Sequence, residues 1–441
     1  MNNKNHSQLN QFILFNNIRE DEIFSSTTLI CNDFFATPEA VVIDKYYSVQ
    51  RALMKNVGNR EISGNYLQDY FCKLIASEEN IFTLMSEAGR FEQLKVGMPL
   101  QEVASILDET GMAVFTLAAN EIEMIYGIYN FDFVNIEGVL DGRNVAAFRP
   151  MANSNLTRRE FVHKALSIIN PVDSAILLSS YYRSFGSGVF EAASAFELNK
   201  EIEPLKSIDP IKMNNLIGYD RQKQSLIENT EILLKGIPAN NVLLYGDSGT
   251  GKSSSVKALL NMYADKGLKM VSVSKDNLIY LPELLEKIAS RGMKFIIYID
   301  DLSFEENEVE YKTFKSVIEG SLNNKPINTI FVVTSNRRNI VKEVWSDRRD
   351  QDDVRMRDNI QEKRSLSDRF GLTLIYSSPD KEEYLQIVKG IAHDSGLIFD
   401  EESLLAEALQ WEIRHGGRSG RAARQFVDYK IGKAIIENQE R

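Results

Sequence analysis

The 441-residue sequence is short of cysteine, histidine and long apolar runs, and each shortage removes a class of protein. Its two cysteines, Cys31 and Cys72, form no CxxC pair, and its four histidines are not clustered. Neither a disulfide framework nor a zinc site is indicated, so both thiols are expected to be reduced. No run approaches the ~18 apolar residues of a membrane-spanning helix, and the polar start Met1–Asn10 is not followed by the apolar core of an export signal. A cytoplasmic location is the expectation that remains, with no membrane partner. Positive charge is not in excess either: Lys+Arg number 51 against 62 Asp+Glu, a formal net charge of -11. Nucleic acid is therefore not indicated as a partner, since any such contact would need a local basic patch.

What is present is ordinary globular material, 43% hydrophobic and 26% charged, in a chain long enough for two or three domains. From Thr37 to about Asn170 the pattern is mainly helical. Leu67, Tyr70, Phe71, Leu74 and Ile75, for example, make a core-facing stripe at i, i+3, i+4, i+7, i+8. Thr37 before Pro38, and Thr157 with Glu160, read as helix starts. Gly127, Gly138 and Gly142 among β-branched and aromatic residues make Ile128–Val145 a small hairpin or an extended connection. The polar stretch Asn199–Asn215, with Pro204 and Pro210, reads as a linker.

Beyond it, short apolar runs alternate with helical segments, as a parallel α/β sheet requires. The expected strands are Val242–Tyr245, Lys269–Val273, Phe295–Ile299, Thr329–Thr334 and Leu372–Tyr376. A helix bearing Phe314, Val317 and Ile318, closed by Gly320, supplies a right-handed crossover. From Lys381 onward three amphipathic helices suggest a small lid. The expected domains are a mainly helical 1–200 of unknown role, an α/β core over 201–378 and a helical lid over 379–441.

Gly246-Asp247-Ser248-Gly249-Thr250-Gly251-Lys252-Ser253 fits G-x-x-x-x-G-K-[ST] at every fixed position, after a strand and before a helix that opens with Ser254. Glycines at such a turn let backbone N–H groups face inward, so that a concave nest and a helix N-terminus meet a triphosphate together. Lys252 then reaches the β and γ phosphates and the Ser253 hydroxyl ligates Mg²⁺. The run Phe295–Ile299 ends in Asp300-Asp301, as a Walker B strand does, with Asp300 as the expected metal partner, mostly through water. Asn336, at the end of the fourth strand, suits a sensor that orients water or the γ phosphate.

Between Arg337 and Arg369 ten basic and eight acidic residues interleave, a balance that argues against a DNA-binding patch and for a solvated or intersubunit loop. In Gly417-Arg418-Ser419-Gly420-Arg421, Arg421 falls in a helix's first turn, where the dipole disfavours a cation. Contact with ATP phosphates explains it; a salt bridge within the lid is the alternative.

Leu216-Ile217-Gly218-Tyr219, the phosphate loop, Ile299-Asp300-Asp301-Leu302-Ser303-Phe304-Glu305, Thr334-Ser335-Asn336-Arg337-Arg338, Leu366-Ser367-Asp368-Arg369-Phe370-Gly371 and Ser419-Gly420-Arg421-Ala422-Ala423-Arg424-Gln425-Phe426 occur in this order. Over about Ser180–Tyr429 the chain thus resembles an uncharacterised bacterial family of AAA-type P-loop ATPases, the domain of unknown function DUF815. The resemblance implies a P-loop NTPase fold of AAA+ type: a parallel five-stranded sheet in three α/β/α layers, a C-terminal helical lid and a mainly α-helical N-terminal domain.

The resemblance also implies that Gly218 and Tyr219 lie near the adenine, and that Tyr181–Gly188 forms a second Gly-rich segment. The residues alone read the latter as a loop before a helix beginning at Val189. Glutamate is commoner in AAA proteins at position 301. The shorter Asp301 could be the base, Glu305 or Glu306 could substitute, or hydrolysis could be slow by design. Arg369 stands where an AAA subunit presents an arginine finger to its neighbour, with Arg364 as the alternative. The functions implied are an oligomeric ATPase acting through Arg369 on an unknown client, cycling between ATP and ADP; a slow ATP-gated switch; or a DNA-replication loader.

Overall fold

The computed structural model describes residues 12–33, 39–57, 66–130, 157–205, 207–304, 308–319, 325–337, 366, 368–397, 399–415 and 417–439. They form two compact units, Met1–Ala192 and Ala193–Arg441. Thr37-Pro38, Glu305, Glu306, Gly320, Arg338 and Arg364 lie outside the described residues.

The first unit is built of helices: α1 (Asn16–Glu20), α2 (Glu22–Asp33), α3 (Glu39–Val57), α4 (Tyr66–Ala76), α5 (Ile81–Glu87), α6 (Leu100–Ile106), α7 (Glu109–Tyr129), α8 (Thr157–Leu166) and α9 (Pro171–Phe185). The α4 stripe lies against the core, with Leu67, Phe71 and Ile75 buried and Tyr70 and Leu74 half-buried. Side-chain caps set several starts: Asn80 and Thr83 form a reciprocal capping box on α5, Asp108 accepts from the Gly111 N–H on α7, and Asn170 precedes Pro171 on α9.

Deep in α7, Glu121 is 1% exposed and accepts the N–H groups of Ile13, Leu14 and Phe15 at 2.8 to 3.2 Å. That carboxylate replaces the water these donors lose. Two expectations need correcting here. Ile128 and Tyr129 belong to α7, while the rest of that segment from 131 lies outside the described residues; and Val189 sits in a single 3₁₀ turn, Gly188–Glu191. Ahead of that turn Tyr181 and Tyr182 are buried, and Glu87 accepts the N–H and hydroxyl of Ser187, so this stretch is packed structure.

Among the described residues of the second unit the sheet has seven strands, not five, in the order β2-β1-β4-β5-β6-β3-β7. The expected five are present as β3 (Val242–Gly246), β4 (Leu268–Val273), β5 (Lys294–Ile299), β6 (Thr329–Ser335) and β7 (Leu372–Tyr376), all parallel. The extra pair, β1 (Ala195–Leu198) and β2 (Ile202–Pro204), forms an antiparallel hairpin whose first strand lies parallel to β4. Part of the expected linker is therefore sheet edge, which is why the second unit begins at Ala193. Residues Val242–Leu244, Phe295–Ile299 and Thr329–Ser335 are buried, the unbroken burial of strands covered on both faces.

Helices α10 (Asp220–Leu234), α11 (Lys252–Tyr263), α12 (Leu281–Ala289) and α13 (Val309–Glu319) connect the strands. Helices α14 (Lys381–Asp394), α15 (Glu401–Arg414) and α16 (Gly420–Gln439) follow β7 and share a core of their own, including Tyr384, Val388, Leu404 and Phe426. In chain order the sheet runs from β3 out to β4, back through β5 and β6, and then past β3 to β7. The strand ends around β3 thus form the kind of crevice where open α/β sheets bind ligands.

Candidate functional site

At the end of β3, Gly246 has φ 137°, and a Cβ there would stand 2.1 Å from the Tyr376 carbonyl oxygen. Only glycine lets the chain pass β7 so closely. Gly249 has φ 75° and would bring a Cβ to 3.1 Å from the Arg421 Cβ, so the loop's middle lies against the start of α16. The Arg421 N–H donates to the Gly249 carbonyl at 3.1 Å. Helix α11 opens at Lys252 with no side-chain cap on its N-terminus, which leaves its first N–H groups to an incoming anion.

Lys252 is 7% exposed. Its Nζ donates to the carbonyls of Gly246 and Asp247 at 2.8 and 2.7 Å and to Asn336 Oδ1 at 3.2 Å. Burial lowers its pKa from the usual value, against the opposing pull of Asp301, Asp247 and Asp300. Ser253 Oγ donates to Asp300 Oδ1 at 2.8 Å, and Thr334 Oγ1 donates to the same oxygen at 2.5 Å. Burial pushes the Asp300 carboxyl up, but hydrogen bonds, including those two, hold it below the ordinary value.

Asp301 takes a left-handed backbone conformation, φ 48°. Its N–H donates to Thr334 Oγ1 at 2.8 Å, and its Oδ1 accepts from Asn336 Nδ2, also at 2.8 Å. Asn336 therefore joins the lysine of the loop to the acid at the end of β5.

These groups face one cavity of about 1070 Å³. Of the residues singled out in the sequence, Gly218, Tyr219, Ser248, Gly249, Thr250, Gly251, Lys252, Ser253, Ser254, Asp300, Asp301, Asn336 and Arg421 line it. Gly246, Asp247 and Arg369 do not. Asp247 turns instead to Ser378, accepting its N–H and hydroxyl at 2.8 Å each, and those bonds lower its pKa. Arg369 is exposed on the turn before β7. Tyr219, with φ 56°, stacks on Tyr376 at 4.8 Å and donates its hydroxyl to the Ser377 carbonyl.

Sequence reasoning named Thr334 as part of a strand and missed that its hydroxyl serves both acids. A polar residue inside an otherwise apolar buried run was the signal. Ile387, Ile391, Asp394 and Asp428 also line the cavity from α14 and α16, and no local motif marks them. Among the described residues no group of three or more His, Cys, Asp or Glu side chains is placed to hold a metal, and no helix is long and apolar enough to cross a membrane.

A family model described as "Protein of unknown function (DUF815)" matches residues 190–434, more than half of the chain. No curated protein matches. Among solved structures, the Thermotoga maritima RuvB Holliday junction branch migration motor matches at 16% identity and a TM-score of 0.35, over 50% of this chain and 63% of that one. Two variants of the same protein match at 17% and 15% identity, with TM-scores of 0.36 and 0.37, over 52% of this chain and 67% and 68% of theirs. This chain thus spans about two thirds of the length of these proteins, and scores so low carry no functional inference.

Proposed function

Since the chain belongs to the family of proteins of unknown function DUF815, whose model covers every residue of this site, we propose that it is an AAA-type ATPase that binds ATP with Mg²⁺ and works as an oligomer on a client. The observation that carries this reading is the convergence of Lys252, Ser253, Asp300 and Asn336 on one cavity, where they are joined by hydrogen bonds.

The phosphates take the nest formed by the loop and the N-terminus of α11, and the Lys252 ammonium exchanges the loop carbonyls for phosphate oxygens. The hydroxyl of Ser253 and the carboxylate of Asp300 are hard oxygen donors that would hold Mg²⁺, and the ion would supply charge neutralisation at the phosphates. Asp301 accepts the proton of the attacking water, and Asn336 orients that water. Gly218 and Tyr219 border the base, and Arg421 carries the response of α16 to the γ phosphate. The helical lid spans 379–441, and the helical unit Met1–Ala192 recruits the client. Arg369, exposed and outside its own cavity, reaches the site of a neighbouring copy.

Turnover per subunit is then expected to rise with protein concentration and to fall by about 10³ in Arg369→Ala, while ATP binding persists. Concentration-independent turnover would count heavily against this reading. One observation favours a second reading, a slow ATP-gated switch: the short Asp301 side chain is engaged by Asn336 from a left-handed backbone. In that case Asp301→Asn leaves an ATP-dependent partner-binding cycle intact, whereas in the first it abolishes turnover and traps ATP.

A further inference from the structure

Tyr298 lies near the end of β5, two residues before Asp300, which follows the strand. The tyrosine is 5% exposed. Its hydroxyl lies within interaction distance of Ser253, Asp300 and Thr334, yet among the described residues none of them meets it at good hydrogen-bond geometry. The protons of the Ser253 and Thr334 hydroxyls are already committed, both donated to Asp300 Oδ1.

A phenylalanine would fill the same volume, and strand β5 is otherwise apolar at Phe295, Ile296, Ile297 and Ile299. A buried hydroxyl without a partner costs free energy that phenylalanine would not. Such a group is retained without penalty if its partner arrives with a ligand. Mg²⁺ brings oxygen donors of this kind, because it keeps several of its waters when bound.

We propose that Tyr298 is a positioning residue of the metal site, its hydroxyl finding a partner in the water shell that enters with Mg²⁺ and nucleotide. The proposal rests on the ATPase reading above. It assigns to the phenol a part in holding the hydrated ion in place, beside the direct donors Ser253 and Asp300.

The test is Tyr298→Phe in the full chain. ATP is titrated calorimetrically into wild type and variant, once with Mg²⁺ and once with EDTA, and the nucleotide-free proteins are melted in parallel. With Mg²⁺ the variant should bind ATP about fivefold more weakly, the size of one net hydrogen bond. In EDTA the two should bind alike, and the nucleotide-free variant should melt no lower than wild type. Equal affinities with Mg²⁺ overturn the proposal. So does an equal loss in both buffers, or a lower melting temperature without nucleotide, because either makes the hydroxyl a structural group. If wild type itself takes up no ATP, or gains nothing from Mg²⁺, the ATPase reading falls and this inference with it, and the wild-type titration alone identifies that case.

Discussion

Two buried polar clusters, one in each unit, are satisfied in opposite ways. In the helical unit the Glu121 carboxylate is saturated by three backbone N–H groups, and Arg159 meets both oxygens of Asp69 at 2.9 and 2.8 Å. Partners of this kind are fixed by the fold. In the α/β unit the buried Lys252 ammonium leans on the carbonyls of its own loop, and the Tyr298 hydroxyl stands without a hydrogen bond. Interactions that a better ligand can displace mark a binding site, and interactions that nothing can displace mark a scaffold.

The comparison breaks most visibly at Glu121. Its replacement by alanine strands three backbone donors, those of Leu14 and Phe15 buried, and the helical unit should lose about 4 kcal/mol, roughly a thousandfold in its folding equilibrium. Calorimetric melting checks this, and ATP affinity should be unchanged. The converse substitution is Lys252→Ala. Loss of a charged donor to two phosphates should weaken ATP binding on the order of a hundredfold, while the melting temperature without nucleotide stays within a few degrees of wild type. If that variant instead unfolds, the lysine is scaffold and the contrast fails.

A finer test uses pH. Burial raises Glu78 from 4.5 to about 7, with Glu121 adding to the rise and the neighbouring Asn17 and Asn80 opposing it. The folded unit therefore holds a proton that the unfolded chain releases. Its contribution is fully present below about 4.5 and is lost as pH climbs towards about 7. Wild type should lose several degrees of melting temperature across that window relative to Glu78→Gln, as thermal scans at stepped pH would record. A parallel course for the two proteins would remove Glu78 from the account.

How far the sequence foretold this depends on the distance between partners along the chain. The phosphate loop is contiguous, so Gly246 to Ser253 could be recognised together with the strand and helix around them. The five expected strands were legible as well, because the strands buried on both faces, β3, β5 and β6 above all, are mostly apolar, and the edge strand β7 carries its own short apolar run. The hairpin β1–β2 was not, since what makes it sheet is pairing with β4, Ala195 with Met270, 75 residues onward, while locally its polar turn and Pro204 look like a connection. Distance along the chain hid the duties of Thr334 and Tyr298 too, which depend on where neighbouring strands stop. Glu121 gave no sign at all: a charged residue in a helical pattern reads as solvent-facing until the segment Ile13–Phe15 arrives to cover it.

The extra hairpin has a consequence for how the molecule behaves in a crowded solution. An open sheet invites strangers to its rims, because each outermost strand offers unused backbone groups to any extended peptide. Here one rim is the three-residue β2, carrying Glu203 and ending in Pro204, which has no N–H to offer. At the other rim the Gln222 side chain already donates to the Ile375 carbonyl of β7. Both margins are blunted, so stacking of copies edge to edge into fibrils is discouraged.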